Sequence, residues 1–384
     1  MRIAFYAPLK SPTHAVPSGD RRVGQLFVAA LEKAGHEVRL ASVLRTYESA
    51  GDRNRQSGLR DQGSAEARDL IAYWSGAGRE ERPDVWFTYH VYYKAPDWLG
   101  PAVSAALGIP YAIAEASFAP KRALGPWSLG HSATVASLRA ASLILCPIQD
   151  DLPCVETQVR ACARVLLFPP FLDPAPYRAA AQNRSAHRNA LAANLRLDPS
   201  VPWIVVSAMM RSGDKAASYY MLAELLRRLP DIPWNILVAG DGAERAGIEG
   251  AFEKAAAGRA RFLGECGPET LATVYAACDL CVWPAVNEAY GMALLEAQAS
   301  GVPIVSRAVR GVPDVVQHGI TGFLASPSDP DAFTQFARDL LVDHEKRRAM
   351  GQAAALFAGT DRSVETAART LDRVLREVQR VPLT

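Results

Sequence analysis

The chain has 384 residues, enough for two domains of ordinary size and too many for a single small module. Lys plus Arg number 42 and Asp plus Glu 40, a net charge of +2, which excludes a protein whose whole surface tracks nucleic acid. With 49% hydrophobic and 21% charged residues it has the composition of a globular protein with a large core, not of a disordered chain.

The first residues, MRIAFYAPLK, run straight into an apolar strand pattern and lack the charged start and cleavage site of a secretory leader, so a cytoplasmic location is expected. No run approaches the 18 apolar residues of a membrane span, which leaves peripheral contact at the inner membrane face as the remaining membrane role. Strand-like runs at 2–6, 37–42, 85–89, 111–115, 143–147 and 165–168 alternate with helix-period stretches. The first helix, 23–34, is stopped by Gly35. Residues 45–69 (RTYESAGDRNRQSGLRDQGSAEARD) mix five arginines with five acids and few apolar residues, and read as a solvated loop or a mobile flap.

FPPFLDPAP, at 168–176, holds four prolines in nine residues and reads as an interdomain connection. A basic helix over 177–195 follows, and then a second alternating series with strands at 203–208, 235–239, 261–263, 280–283, 303–306 and 322–325. This predicts an α/β protein of two tandem Rossmann-like, doubly wound domains facing across a cleft: residues 1–172 on the acceptor side, 173–361 binding the nucleotide, and 362–384 as a helix crossing back to the first domain. Ser328-Asp329-Pro330 supplies the start of a helix over 331–342, and 364–378 is amphipathic. The six cysteines sit in apolar or helical stretches and read as reduced, mostly buried thiols. Cys278 and Cys281 form a C-x-x-C, but no second pair completes a zinc shell.

Residues 1–24 offer no G-x-G-x-x-G, which disfavours nicotinamide chemistry, and Gly240-Asp241-Gly242 reads as a tight turn. The densest constellation is Glu288-Ala289-Tyr290-Gly291-Met292 leading to Glu296, immediately after the strand 280–283. A helix starting there presents the amides of Tyr290, Gly291 and Met292 and its positive dipole end, a site for phosphate. After the strand 203–208 the sequence MMRSGDK puts Arg211 and Lys215 at the same sheet edge, a fork and a point charge suited to a diphosphate.

Together these residues resemble the retaining, GT-B-fold glycosyltransferases of family four, the glycosyl transferases group 1 type. The likeness is carried by NEAYGMALLEAQASGVPIVSRAVRGVPDVVQHGITGFL, with its two glutamates, by Arg211 and Lys215, by RFLG at 261–264 and by AACDLCVWP. The resemblance implies an enzyme that moves a hexose from a nucleotide sugar, UDP- or GDP-linked, to a hydroxyl acceptor in polysaccharide or glycolipid synthesis. It implies no cofactor and no metal. Glu296 would bind the ribose, Arg211, Lys215 and the amides at Tyr290, Gly291 and Met292 the diphosphate, and Glu288 the transferred sugar as a catalytic group. Gly19 matches the family's glycine loop near the donor phosphates, ahead of the first helix. His90, at the end of the strand 85–89, is the second catalytic candidate, against the alternative of a structural histidine. Asp20 has two readings, an acceptor-side carboxylate or a helix cap. So does Glu115, which stands where relatives often carry His-Asp: an acceptor carboxylate, or the ion-pair partner of Lys121 or Arg122. Asp314 is expected to cap a short helix. Tyr89, Tyr92, Tyr93 and Trp98 are expected to be core and rim packing, with stacking on an acceptor as the alternative. The competing functions are a GT-B-fold nucleotide-sugar epimerase and a catalytically silent scaffold that binds sugar nucleotides. Oligomeric state is not legible.

Overall fold

The computed structural model describes residues 1–16, 18–229 and 231–380. The chain divides into two compact units, Met1–Pro169 with the segment from Val364 onward, and Pro170–Ser363. The first division falls at Pro169/Pro170 and the second at Ser363/Val364, a few residues from the sequence-based positions at 172 and 361.

The first unit is built on six parallel strands: β1 (Arg2–Tyr6), β2 (Glu37–Leu40), β3 (Val85–Val91), β4 (Tyr111–Ala116), β5 (Leu143–Cys146) and β6 (Arg164–Leu167). Their order is β2-β1-β3-β4-β5-β6, so the winding reverses between β1 and β3, where Phe5 pairs with Phe87 and Tyr6 with Thr88. β3, β4 and β5 are almost wholly buried, which is why they read as continuous apolar runs. The helix Gly19–Lys33 packs against the helix Val364–Gln379, whose buried Val364, Ala367, Ala368, Leu371, Val374, Leu375 and Val378 keep helical spacing. Lys33 pairs with Glu365 at 2.9 Å across this contact.

The second unit carries β7 (Trp203–Ser207), β8 (Asn235–Ala239), β9 (Ala260–Gly264), β10 (Leu280–Trp283), β11 (Ile304–Arg307) and β12 (Gly322–Ala325). Again all pairs are parallel, in the order β12-β11-β10-β7-β8-β9, and the winding reverses between β7 and β10. Both sheets are thus Rossmann-like, as the alternation of periods predicts. In such sheets the ligand site forms outside the carboxyl ends of the strands at the reversal.

Four expectations are corrected. Residues 45–52 are a loop as expected, but 53–69 are not, because Asp52 caps a helix Arg53–Gly76 by accepting from the amides of Asn54 and Arg55 at 2.8 and 3.1 Å. The segment 177–195 is two helices, Ala175–Gln182 and Arg184–Leu195, broken at Asn183. Asp314 lies inside the short helix Val312–Val315 and does not cap it. Of the cysteines, Cys146, Cys278 and Cys281 are buried, but Cys154 and Cys162 are exposed. All six are free, and burial pushes the Cys281 thiol up to about 12, so the C-x-x-C holds no reactive thiolate. Among the described residues no helix is long and apolar enough to cross a membrane.

Candidate functional site

Each unit gathers polar residues at its own reversal point. In the second unit, the turn after β7 packs on the turn after β8, Met210 donating to the Asp241 carbonyl at 2.8 Å. Gly240 and Gly242 allow this approach, since a β-carbon would lie 2.0 Å from the Ala208 carbonyl oxygen and 2.3 Å from that of Met210. The Gly-Asp-Gly is therefore a packing turn.

Lys215 stands in the first turn of the helix Asp214–Arg227, where the helix dipole disfavours a cation by about 0.3–1 kcal/mol. What holds it there is tertiary. Its ammonium is ion-paired with Glu288 Oε2 and lies 5.6 Å from the centre of the Trp283 ring, while Trp283 Nε1 donates to the same Glu288 oxygen at 3.3 Å. The side chains of Lys215 and Glu288 are only 22% and 15% exposed. The loop carrying Glu288 is tied to the same helix, Val286 N donating to Ser218 Oγ and Asn287 Nδ2 to Asp214 Oδ2, both at 2.9 Å. Ala285 and Asn287 take left-handed φ values of 57° and 49°, a conformation that costs a non-glycine residue of order 1–3 kcal/mol and clusters at functional sites.

Gly291, with φ 75°, precedes the eight-residue helix Met292–Ala299. A β-carbon there would crowd Leu294 at 3.1 Å, so the turn requires glycine. The amides of Gly291, Met292 and Ala293 find no acceptor among the described residues, the ordinary condition of a first helical turn. Glu296, one turn further on the Met292 face, is 6% exposed. Its carboxylate is, after burial, the second cause lifting the Tyr275 hydroxyl well above its usual range. Arg211 is exposed, and its guanidinium has no partner among the described residues. The structure therefore joins Lys215 to Glu288 and leaves Arg211 beside them at the sheet edge, unengaged.

In the first unit the reversal between β1 and β3 holds Asp20, His90 and Glu115. The first helix starts earlier than its apolar period indicates, so Gly19 and Asp20 are its first two residues. Ser18 caps it by accepting from Arg21 N at 3.2 Å, which frees Asp20 from the capping role. A β-carbon on Gly19 would meet nothing within 4 Å, so packing does not require that glycine. His90 Nδ1 lies 3.0 Å from Asp20 Oδ1 and 3.6 Å from Glu115 Oε1. Carboxylates only accept, so Nδ1 carries a proton, and Nε2 has no partner among the described residues. Burial opposes charging His90, but the Glu115 carboxylate and the Asp20 hydrogen bond outweigh it and hold the imidazole above its usual range. Burial likewise opposes ionisation of Asp20, and the His90 hydrogen bond and charge overcome it, holding the carboxyl below 3.8. His90 and Glu115 both have φ 62°, again left-handed. Arg122 sits over the Tyr93 ring at 5.2 Å. Tyr89 is buried in the core against Phe27, while Tyr92 lies against His90 at 5.0 Å.

These shifts carry a pH prediction. A histidine raised in the folded state contributes stability that is complete below its unfolded value of 6.5 and is lost as pH rises through the higher folded value. Asp20, lowered, contributes above 3.8 and loses its contribution only as pH falls through its folded value. The difference in melting temperature between wild type and His90→Gln is therefore expected to be largest between pH 3.8 and 6.5 and to shrink at alkaline pH. Melting curves across that range check it, and a difference that grew with pH would contradict the arrangement.

Asn287, Asp214 and Trp283 belong to these sites without having been singled out as site residues, while Tyr92 was read as packing with acceptor stacking as the alternative. Only Asn287 carried a local signal, standing beside Glu288 and being of a type that tolerates left-handed backbone. Among the described residues no group of three or more His, Cys, Asp or Glu is placed to hold a metal ion.

Comparison with known proteins adds three findings. Residues 207–357 match the family described as glycosyl transferases group 1. Among curated relatives, a D-inositol 3-phosphate glycosyltransferase of Corynebacterium urealyticum is 35% identical over 166 residues, 42% of this chain and 39% of the relative. One of Nocardia farcinica is 33% identical over 204 residues, 51% of this chain and 44% of the relative. The chain thus spans about two fifths of the length of these relatives. Among solved structures, sucrose-phosphate synthase from Thermosynechococcus elongatus superposes with a TM-score of 0.73 at 19% identity, covering 98% of each chain. HepE of Anabaena in complex with UDP gives 0.72 at 16%, covering 98% of this chain and 100% of that one. These establish the fold, and the segment that matches the family contains Lys215, Glu288 and Glu296. The chain has the GT-B fold, and its residues 207–357 match the family described as glycosyl transferases group 1.

Proposed function

We propose that the chain is a retaining, metal-independent glycosyltransferase that moves a hexosyl group from a UDP- or GDP-sugar to a hydroxyl acceptor. The observation that carries this reading is the Lys215–Glu288–Trp283 cluster beside the start of the helix Met292–Ala299, at the reversal point of the second sheet. A diphosphate there meets the free first-turn amides and the positive helix end, with Lys215 and Arg211 as counter-charges. Together they stabilise the charge that develops on the departing nucleotide. Glu296 is assigned to the ribose, whose neighbouring hydroxyls can both donate to one carboxylate. Glu288 accepts hydroxyls of the transferred sugar and, as an anion, favours the positive charge that grows at its anomeric carbon. Retention follows if the acceptor hydroxyl attacks the face that the diphosphate leaves, passing its proton to the leaving oxygen. Asp20, His90 and Glu115 are assigned to the acceptor side, with the cationic His90 offering Nε2–H to an oxygen of the bound sugar.

A metal-free thermal-shift panel of UDP-, GDP- and ADP-sugars on wild type and Arg211→Ala tests the reading, because a ligand bound only by the folded state raises the melting temperature by mass action. One nucleotide is expected to shift wild type selectively, and the shift is expected to fall in Arg211→Ala. No shift with any donor sets aside both the enzyme reading and a silent scaffold that binds sugar nucleotides.

A further inference from the structure

His90 begins a run of rings. Its imidazole lies 5.0 Å from Tyr92, Tyr92 lies 5.6 Å from Tyr93, and Tyr93 lies 5.3 Å from Trp127, all centre to centre. Along this run three cations sit over aromatic faces: Arg45 over Tyr47 at 4.9 Å, Arg122 over Tyr93 at 5.2 Å and Lys94 over Trp127 at 5.2 Å. All three lie between Arg45 and Arg122, in the same unit as His90.

The loops that bear them are fastened to one another. Thr46 Oγ1 donates to the Pro96 carbonyl at 2.7 Å and Glu48 N to that of Lys94 at 2.8 Å. Buried Glu48 spends its carboxylate on the amides of Ala50, Gly51 and Asp52. Gln56 holds the loop of Trp127 by donating to the Pro126 carbonyl at 2.8 Å and accepting from Gly130 N at 3.2 Å. The platform is therefore preformed.

The charge balance points the same way. Arg188, which stacks on Trp203 in the second unit, is also paired with Asp279 at 2.9 Å, the arrangement of a structural cation. Arg45, Lys94 and Arg122 pair with no carboxylate among the described residues, and Arg122 Nε is buried without a partner. Three cations with no paired carboxylate offer an anion the counter-charge that a salt bridge would otherwise use up. Trp127 is buried, but Tyr47, Tyr92 and Tyr93 are only half-buried and leave ring surface that suits a carbohydrate-like ring. We infer that the run from His90 to Trp127 seats the acceptor, and that this acceptor is a ring polyol carrying an anionic substituent, either a phosphate ester or a carboxylate. The inference rests on the glycosyltransferase reading for the word acceptor; the binding it asserts can be measured without it.

Isothermal titration of the full chain, with and without UDP, uses glucose 6-phosphate, glucuronate, glucose and inorganic phosphate as probes. At least one charged ring is expected to bind about tenfold or more tighter than both glucose and inorganic phosphate. The phosphate and carboxylate arms tell the two anions apart. Lys94→Met and Arg122→Met, which keep an apolar stem over the ring, are expected to lose that preference, and exposed Arg45→Met provides a third variant if Arg122→Met does not fold. Equal binding of glucose, equal binding of bare phosphate, a preference unmoved in the variants, or no binding by any probe overturns the inference. UDP bound by wild type in those same titrations leaves the donor reading standing in each of these cases, whereas absent UDP binding strikes that reading alone.

Discussion

Lys215→Ala is expected to weaken UDP binding by roughly 30- to 1000-fold, about 2 to 4 kcal/mol, when measured by isothermal titration without metal. The size follows from the site. Lys215 sits in the first helical turn against the dipole, and only Glu288 and the Trp283 ring hold it there. Removing the ammonium withdraws a counter-charge from the diphosphate and also leaves a largely buried Glu288 carboxylate without its cation, which repels the incoming anion. Glu288→Gln separates the two effects. It keeps the shape, leaves Lys215 in place, and is expected to retain most UDP binding while losing hydrolysis of a UDP-sugar. UDP binding within twofold of wild type in Lys215→Ala would remove the phosphate assignment.

Asp97→Ala is expected to destabilise the first unit by about 3–5 kcal/mol, seen as a fall of roughly 6–20 °C in its melting temperature. Asp97 is 2% exposed and is the shared acceptor for donors on β3, on β4 and in the segment that follows β3. Its Oδ1 accepts from the amides of Leu99 and Gly100 at 2.8 and 2.7 Å, and its Oδ2 from Thr88 Oγ1 and Tyr111 OH at 2.6 and 2.8 Å. Trp86 Nε1 completes the network by donating to Thr88 Oγ1 at 2.8 Å. Truncation strands four buried donors at once, and a donor left unsatisfied costs about 1–3 kcal/mol before any relaxation. Because Thr88 and Tyr111 lie on the neighbouring strands β3 and β4, whose next-to-last residues are His90 and Glu115, the same change is expected to loosen that pair. A melting temperature within 2 °C of wild type would refute the network's role.

The strands were legible because their period and their flanking turns are local properties. The unread helix Arg53–Gly76 shows where that ends. Its buried positions are Gln56, Gly63, Ala67 and Trp74, of which Trp74 alone is large and apolar, too little for an apolar period. Gly63 is small because the Trp98 β-carbon would lie 2.6 Å from a β-carbon there, a demand made by a neighbour and invisible in the helix's own sequence. The start of the first helix was missed for a similar reason. Gly19 and Asp20 are poor helix formers by composition, and the Ser18 cap and the tertiary bond from Asp20 to His90 place them in the first turn.

By itself the sequence determined the fold class, the position of nearly every strand, and the set of charged residues that follow strand ends, since alternation, punctuation and capping act over a few residues. Which of those residues meet was decided by tertiary structure alone. Lys215 and Glu288 are 73 residues apart and Asp20 and His90 70 apart. Each pair comes together because β10 lies beside β7 and β3 beside β1, and strand order follows from packing helices on both faces of a sheet, a demand of the whole unit.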